Sequence, residues 1–592
     1  MSAGYGSQPR ITIDGSPLAD DLLPQLITVL VDTQLHLPDM FVLEFLDDER
    51  DLLRKAGFDF GSKIEISATA ADGDSGGASA GTLILAEVTG LEQESDTTGT
   101  WTVVRGYDAS HRLCRGRRTR TFLDATDGDI VRRVASGAGL ELGDVDDDGA
   151  VHPHVGQVNL TDWEFLRARA NERGREVAVV GGRLLWRSPA SHSAAPGVLD
   201  DLSAPPRALQ LLLGTNLLRL SPRVTAAEQV GEVWVRGWDP ETKQPVRGSA
   251  TTATVSAGSG ADPGELAGRF SAAPFLVADR PVRDEQEADA VAAAVAEQIA
   301  GAHAEMTGLA LGDPKLVPGA AVSVGGSGWP HDGDYVLSGA RHRYDETGYH
   351  TEFTVSGRQE RTLLGLASLG ATKQAHRGSG RPWPGLVIGQ VTDINDPDQR
   401  FRVKVSFPWL SDDYESWWAR VAQPGAGDGR GLAWLPEVGD EVLVGFVHGD
   451  VRDPYVLGGL YNGTDHPMMN DQLVDGSAGQ VLRRVLGSRT GHQLVFSDDD
   501  QASQIQLATG DGSATITLDS SNTKIVIDGS GQITIHAGGP LKLDSDGDLE
   551  LNANGGDLKL TASGQIKLSG TTGASIDGGP QVAVTGSVIK LN

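Results

Sequence analysis

The chain has 592 residues, enough for three or four domains, and its apolar content of 39% is ordinary for a folded protein. Its single cysteine, Cys114, excludes an intrachain disulfide and a cysteine metal cluster. The formal net charge of −30 argues against binding to nucleic acid or to an anionic membrane, since both are themselves negative.

The N-terminal segment, residues 1–15, has neither the basic stretch nor the apolar stretch of a secretory signal. No part of the sequence approaches 18 consecutive apolar residues. We therefore expect no secretory signal and no stable membrane insertion.

Residues 1–372 are predicted to form a mixed α and β region. Alternating apolar residues predict strands at 63–68, 82–89, 100–107, 321–324, 335–338 and 349–355, and the Gly/Ser/Asp-rich stretch 72–81 predicts a loop. Helices are predicted at 129–138, from Thr161 onward, and over the alanine-rich stretch 284–306. Thr161 and Glu164 have the spacing of a capping box.

Three short patterns in this region resemble chemical sites, and a plain structural interpretation is favoured for each. The Gly-x-Ser-x-Gly pattern at 77–81 lacks the strand and helix that a nucleophile elbow needs. The acidic stretch 144–149 begins like a calcium loop, but Val155 stands where a glutamate is required. His152 and His154 have no placed partners for a metal. We therefore predict no catalytic residue, no cofactor and no metal.

Residues 373–384 are basic, rich in glycine and proline and without periodicity, which predicts a linker. Residues 385–466 are predicted to form a small five-stranded barrel of the OB type. Its strands are expected at 386–391, 401–407, 417–422, 441–447 and 455–460.

A set of strand, turn and aromatic positions defines the barrel motif. Its members are Val403, Val405, Phe407, Trp409, Trp418, Pro436, Gly439, Asp440, Val442, Val444, Gly458 and Asn462. The valines alternate along strands, and Gly439-Asp440 is typical of a turn. Two interpretations stay open for the tryptophans of the barrel: its core, or an interface between subunits, where aromatic residues are favoured. These tryptophans are Trp409, Trp417, Trp418 and Trp434.

Residues 467–592 are predicted to be a linker followed by a repeat of about eight residues. Each unit has a pair of apolar residues, one on either side of a single intervening residue. This spacing is typical of a short strand with one apolar face. The predicted core positions are Ile516, Leu518, Ile525, Ile527, Ile533, Ile535, Leu541, Leu543, Leu549, Leu551, Leu558, Leu560, Ile566, Leu568, Ile576, Val582 and Val584. A glycine two residues before several pairs favours a corner that needs a positive φ or has no room for a side chain; these are Gly531, Gly539, Gly547, Gly556 and Gly564.

The short period of this repeat points to more than one chain. A single-chain β-solenoid uses about 20 residues or more per coil, so an eight-residue unit cannot enclose its own apolar face. We expect three chains to wind about one axis as a triple-stranded β-helix, an intertwined homotrimer with a shared core. The alternative, a disordered tail, lacks such regular apolar spacing.

Several blocks of the barrel resemble the VgrG and phage baseplate spike family. The blocks are residues 402–409, 417–422, 435–444, 449–450 and 456–462, in this order. Residues 161–166, followed by Gly174 and residues 184–186, resemble the helix and strands of the family's tail hub. The C-terminal needle is similar to the family by its period more than by its residues.

The resemblance implies a fold of α+β tail-hub domains, an OB barrel and a β-helix needle. It also implies the homotrimeric spike of a contractile injection machine, which contacts a hexameric inner tube, baseplate proteins and a PAAR-like tip at the C-terminal end. Such particles assemble in the cytoplasm and act there, docked to a membrane or after release. The composition and the compact hub resemble phage-like injection particles more than type VI VgrG proteins.

Two other functions stay open: a spike-borne hydrolase of the cell envelope and a carbohydrate-binding tail fibre. Only about 16 residues separate Asn462 from Gln480, too few for an inserted enzyme domain. The repeat extends to Asn592, where a fibre would be expected to have a receptor-binding head. We therefore expect a structural protein and no enzyme.

Overall fold

The structure, a computed structural model, describes residues 9–35, 37–71, 78–199, 201, 203–239, 242–270, 274–357, 385–469, 472–500 and 502–590. The chain divides into two compact units, residues 1–465 and residues 466–592. The predicted linker at 373–384 lies outside the described residues, and the predicted domain boundaries stay a prediction. We call residues 9–357 the N-terminal region and residues 385–459 the barrel.

The N-terminal region begins with antiparallel strands around an apolar core. These elements are β1 (Arg10–Ile13), β2 (Ser16–Pro17), β3 (Leu26–Gln34), β4 (Met40–Leu46), α1 (Leu52–Ala56), β5 (Lys63–Ala71), β6 (Ala78–Ser95) and β7 (Thr100–Asp108). Alternate side chains along β4, such as Phe41, Leu43 and Phe45, are fully buried. The predicted loop at 72–81 is wrong at its end, because residues 78–81 pair with residues 68–71 and lengthen the β5–β6 hairpin. Its first part, residues 72–77, lies outside the described residues.

A small α+β subdomain follows. It contains β8 (Arg118–Ala125), α2 (Asp127–Ala138), β9 (Glu141–Val145), β10 (His152–Leu160), α3 (Asp162–Glu172), β11 (Glu176–Val180) and β12 (Arg183–Arg187). The predicted start of the second helix is confirmed: Thr161 Oγ1 accepts a hydrogen bond from the Glu164 backbone NH, and the Glu164 carboxylate accepts one from the Thr161 NH. Phe165 and Leu166 then pack into the subdomain core.

The rest of the N-terminal region adds further strands and the longest helix among the described residues. Its elements are β13 (Gln210–Leu212), β14 (Leu217–Val224), β15 (Glu232–Asp239), β16 (Gln244–Thr251), β17 (Ala257–Ser259), α4 (Pro263–Gly268), β18 (Phe275–Val277), α5 (Glu285–Gly301), β19 (Ala304–Leu311), β20 (Ala321–Gly325), β21 (Gly333–Val336), β22 (Gly339–Asp345) and β23 (Gly348–Val355). The predicted helix 284–306 is wrong beyond Gly301. Residues 304–306 belong to β19, where pairing with β14 and β23 prevails over their helical propensity.

An eleven-stranded sheet joins the two ends of this region, in the order β14-β19-β23-β22-β3-β4-β7-β6-β5-β1-β2. The connection is the antiparallel pairing of β22 with β3, in which Ala340 lies opposite Thr33. Thr33 Oγ1 also donates a hydrogen bond to the Ala340 carbonyl at 2.9 Å.

A separate three-stranded sheet, in the order β16-β15-β18, packs on helix α5. Its inner valines, Val233, Val235 and Val246, are buried against the helix. Gly248 permits the close approach, because a Cβ atom there would lie 2.5 Å from the Ala288 carbonyl carbon. The other face of this sheet is exposed.

The barrel confirms the predicted five-stranded architecture. Its strands are β24 (Leu386–Asp393), β25 (Arg402–Ser406), β26 (Ala419–Val421), β29 (Glu441–Phe446) and β30 (Pro454–Gly459), with a small hairpin of β27 (Ala426–Gly427) and β28 (Arg430–Gly431) between them. The barrel closes in the order β24-β25-β26-β30-β29. Every predicted strand overlaps an observed one.

The C-terminal unit begins with two short strands, β31 (Val474–Asp475) and β32 (Gln480–Val481). Five antiparallel strands follow, which we call the meander: β33 (Arg483–Gly487), β34 (Gln493–Ser497), β35 (Gln504–Ala508), β36 (Ala514–Asp519) and β37 (Lys524–Gly529). We call residues 531–590 the repeat segment; it is exposed throughout and contains no helix or strand in the single chain described. Within the part of the chain that the structure describes, no helix is long and apolar enough to cross a bilayer.

Candidate functional site

The apolar members of the barrel motif form its closed core. Val403, Val405, Phe407, Val442 and Val444 are all 0% exposed. Phe401, which precedes β25, is exposed instead and has a φ of 63°. The alternation of β25 therefore begins at Arg402.

The polar and glycine members of the motif form turns. Gly439 has a φ of 97°, and its NH donates to the Val391 carbonyl at 2.9 Å. The Asp440 carboxylate accepts a hydrogen bond from the Glu437 NH at 2.8 Å, which closes the turn that starts near Pro436. Gly439 supplies the left-handed conformation that other residues rarely adopt.

The last two motif residues end the barrel. Gly458 lies opposite Leu443 at an irregular step in the β29–β30 register. Asn462 Oδ1 accepts hydrogen bonds from the backbone NH groups of Thr464 and Asp465 at 2.8 and 2.7 Å. These residues therefore shape the exit of the chain from the barrel.

None of the four tryptophans is buried in the barrel core, so the first of the two open interpretations does not hold. Trp409 and Trp434 are 46% and 48% exposed. Trp409 Nε1 donates to the Ile388 carbonyl at 2.7 Å, and the Lys404 ammonium lies 5.2 Å from the ring of Trp418. Trp417 is only half-buried and contacts His154. The interpretation as an interface between subunits stays open.

The barrel packs on strand β10 through aromatic and apolar contacts. Tyr414 is buried against Gly156, where a Cβ atom would lie 3.2 Å from its hydroxyl oxygen. Val158 belongs to the same apolar cluster as the barrel valines. His154 Nε2 lies 3.1 Å from the Glu415 carbonyl oxygen. Burial lowers the pKa of His154, which keeps its ring neutral near pH 7.

Ion pairs extend this contact to helices α3 and α5. Arg452 of the barrel lies 2.7 Å from Asp450 and 3.4 Å from Glu172 at the end of α3. Arg283, just before α5, lies 3.0 Å from Asp453. The partners are up to 280 residues apart, so no local sequence signal predicts this junction.

A cleft of about 330 Å³ lies at the same junction and is lined by arginines, carboxylates and both histidines of the sequence 152–154. Asp127, next to the cleft, lies 2.6 Å from Arg169 and 3.1 Å from His152. Burial would raise the pKa of Asp127, but hydrogen bonds from His152 and Arg169 and the charge of Arg169 hold it well below its usual value. Arg169, Arg283 and Arg452, which line the cleft, are therefore each paired with a carboxylate of the protein.

The residues of the sequence patterns that resembled metal sites have separate partners within the protein. His152 contacts Asp127, whereas His154 contacts the barrel, so the two rings do not converge. Asp147 accepts a hydrogen bond from Thr126 at 2.6 Å, beside the start of α2. Among the described residues, no group of three or more His, Cys, Asp or Glu side chains is arranged to hold a metal.

In the C-terminal unit, apolar side chains form continuous rows across one face of the meander. One row consists of Leu486, Leu494, Leu507, Ile516 and Ile527, and the next of Phe496, Ile505, Leu518 and Ile525, each opposite its neighbours in the strand register. All of these residues except Leu494 are between 40% and 73% exposed. Two apolar rows thus face solvent in the single chain.

The remaining predicted core positions lie in the repeat segment and are exposed as well. They are Ile533, Ile535, Leu541, Leu543, Leu549, Leu551, Leu558, Leu560, Ile566, Leu568, Ile576, Val582 and Val584, each more than half exposed. The five glycines before these pairs do not have positive φ values, and no atom lies within 4 Å of an ideal Cβ on any of them. Neither reason given for glycine at these corners therefore holds within one chain.

Two family models match the chain. The model of the type VI secretion system/phage-baseplate injector OB domain matches residues 387–461, which contain nearly all of the barrel. The model of the Alg8 N-terminal domain matches residues 58–346, within the N-terminal region.

Curated relatives match only part of this chain. The type VI secretion system spike protein VgrG3 of Vibrio cholerae is 35% identical over 131 residues, covering 21% of this chain and 13% of that protein. The actin cross-linking toxin VgrG1 of Vibrio cholerae is 32% identical over 131 residues, covering 21% and 12%. The chain thus matches about one eighth of the length of these relatives.

A solved structure matches over most of the chain. A chain of the half-lidded Francisella PdpA–VgrG complex has a TM-score of 0.50 and 9% identity, and the match covers 88% of each chain. At this identity the likeness concerns the fold alone.

Proposed function

We propose that this chain, a relative of the VgrG and phage-baseplate spikes, is the homotrimeric central spike of a contractile injection machine. Its sequence resemblance to these spikes is confirmed by the match of the barrel to the injector OB domain and by the identity to VgrG3. The observation that supports a trimer is the apolar face of the C-terminal unit, which one chain leaves exposed.

The size of that face favours a partner chain. Monomeric soluble proteins rarely expose contiguous apolar patches larger than a few hundred Å². Here nine apolar residues in register cover one side of five strands, and thirteen more follow in the repeat segment. Burial of each such side chain contributes ~1.5–3 kcal/mol, so covering this face by other chains is favoured, and identical copies carry the same face.

The glycines of the repeat segment agree with a triple-stranded β-helix of three chains. Their φ values and free space give no reason for glycine inside a single chain. A neighbouring chain that approaches the corner would supply one, because any side chain would then collide with its backbone. The three strands would share the apolar axis and leave the polar residues, such as Lys542 and Glu550, outside.

We further propose the partners that this role requires. The N-terminal region would contact a hexameric inner tube and baseplate proteins, and the needle would hold a PAAR-like tip that enters the target envelope. Assembly would take place in the cytoplasm, before the particle acts there, at a membrane or after release. The phage-like sub-family stays a prediction.

The role is mechanical, and the absence of catalytic activity from this chain stays a prediction. The toxin name of the Vibrio relative describes that protein, of which the match covers 12%. An envelope hydrolase and a carbohydrate-binding fibre stay the alternatives.

The trimer is tested by charging its core. We expect the double variant Ile533→Asp/Ile566→Asp to lose the trimer, since each copy would place two carboxylates in a dry shared axis. Light scattering of the purified chain should give three times the chain mass for the parent protein and a lower mass for the variant.

The matched control is Thr534→Asp/Lys567→Asp, which alters the residues that lie between the two members of each pair. These side chains would face solvent in a three-chain β-helix. The control should therefore remain a trimer. A parent protein that is a monomer, or a core variant that stays trimeric, would refute the proposal.

A further inference from the structure

The exposed face of the β16-β15-β18 sheet combines tryptophans with arginines. Along β15 the inner residues Val233 and Val235 are buried, while Trp234, Arg236 and Trp238 face outward. Trp234 and Trp238 are 41% and 52% exposed. The two tryptophans are four positions apart along the strand, a distance of ~13 Å.

The neighbouring strands extend this outer face. Arg247 of β16 lies directly opposite Arg236, and Leu276 of β18 lies beside Trp234. Leu276 is 53% exposed. We call Trp234, Arg236, Trp238, Arg247 and Leu276 the Trp–Arg face.

The two arginines repel each other in the isolated chain. Side chains directly opposite in an antiparallel pair have Cβ atoms ~4.5–5.5 Å apart, and like charges at such positions destabilise a sheet. No ion pair between described residues includes Arg236 or Arg247. A carboxylate from outside the chain would relieve this repulsion, because guanidinium groups bind carboxylates in paired hydrogen bonds.

We propose that the Trp–Arg face is a docking surface for a separate protein that presents carboxylates between apolar side chains. Tryptophan and arginine are the residues most enriched among the strongly contributing positions of protein interfaces. The two tryptophans and Leu276 supply the apolar area, and the arginine pair supplies the charge. This inference does not depend on the trimer proposed above.

A protein fits this face better than a continuous polyanion. Nucleic acid and anionic membranes present closely spaced negative charge, which the net charge of −30 repels. Glu232 also stands in the outward row of β15, so an extended anion would meet a carboxylate within four residues of Arg236. A folded partner can place its carboxylates opposite the arginines alone.

The test titrates the full-length protein with a 20-residue peptide of leucine and serine that carries only two glutamates, at its centre, by isothermal titration calorimetry. We expect saturable binding that weakens at least tenfold in Arg236→Glu/Arg247→Glu and in Trp234→Ala/Trp238→Ala. The second variant leaves the net charge of the protein unchanged. Weaker binding by this variant therefore shows that the tryptophans contact the peptide and that charge attraction alone does not explain the affinity. Circular dichroism checks that both variants are folded.

The matched control is Arg115→Glu/Arg133→Glu, which makes the same charge change at exposed arginines elsewhere. It should bind the peptide within about twofold of the parent. Absence of peptide binding, or an equal loss in the control, would overturn the proposal.

Three further measurements exclude other occupants. Tighter binding of a 20-nucleotide oligothymidylate would assign the face to nucleic acid, and tighter binding of phosphatidylglycerol vesicles would assign it to a membrane. A change in oligomer mass of Arg236→Glu/Arg247→Glu by light scattering would assign it to a second copy of this chain. Each of these results would overturn the proposal of a separate protein.

Discussion

The barrel and the repeat segment use the same alternation of apolar residues and reach opposite outcomes. In the barrel, five strands close on themselves, and Val403, Val405 and Phe407 are fully buried. In the repeat segment, comparable pairs such as Leu558/Leu560 are 58% and 59% exposed. An exposed apolar face is stable only when other residues bury it. Whether the same chain can supply those residues depends on the number of residues between successive turns.

The largest expected effect lies in the barrel. Phe407→Ala should lower the free energy of unfolding by about 3–5 kcal/mol, because Phe407 is buried among Tyr414, Phe446 and the barrel valines. Since the barrel closes within one chain, urea unfolding of this unit should give the same loss at every protein concentration. Phe401→Ala, at an exposed phenylalanine beside the same strand, should cost less than about 1 kcal/mol. A loss that depends on concentration would break the comparison.

A smaller and concentration-dependent effect is expected in the repeat segment. Leu560→Ala should lower stability by about 2 kcal/mol per chain in the trimer, where the side chain would be buried, and by almost nothing in a dilute monomer. Thermal unfolding across a hundredfold range of protein concentration would measure this difference. Lys559→Ala, between the two leucines, is the control and should have little effect at any concentration. Equal effects of both variants would contradict a shared core.

The smallest expected effect concerns the loop between β24 and β25. Arg402 lies 2.6 Å from Asp396, and its hydrogen bonds lower the pKa of Asp396 to about 2. A lowered pKa stabilises the fold above the unfolded value of ~3.9 and loses that contribution as the pH falls through the folded value. The unfolding free energy of the barrel should therefore fall by about 1 kcal/mol or more between pH 4 and pH 2.

Asp396→Asn should remove that part of the acid sensitivity, while Asp412→Asn, at an exposed carboxylate of the next loop, should leave it in place. Urea unfolding at a series of pH values measures both. An unchanged slope in Asp396→Asn would show that the ion pair does not stabilise the barrel.

Local signals explain what the sequence predicted. The capping pair Thr161 and Glu164 determines where α3 begins, because its hydrogen bonds lie within four residues. The barrel strands were predicted closely, since their turns and alternation are local. Helix α5 was predicted too long, because the strand formed by residues 304–306 depends on partners about eighty and fifty residues away.

Side-chain positions that depend on tertiary packing could not be predicted from the sequence. The barrel tryptophans lie outside although large aromatic residues favour burial, and the contacts of Arg452 with Glu172 join residues 280 positions apart. The Trp–Arg face, by contrast, is visible in the sequence. Val233, Trp234, Val235 and Arg236 alternate between buried and exposed positions along β15. A strand with aromatic residues on its polar side indicates a surface that something else contacts.

The pairing of Thr33 with Ala340 has a consequence for folding during synthesis on the ribosome. At ~5–20 residues per second, Ala340 is synthesised roughly 15–60 s after Thr33. During that interval β3 has an open edge, and open strand edges invite pairing with other nascent chains. A chaperone that covers the edge of β3 until β22 has been synthesised would prevent such pairing.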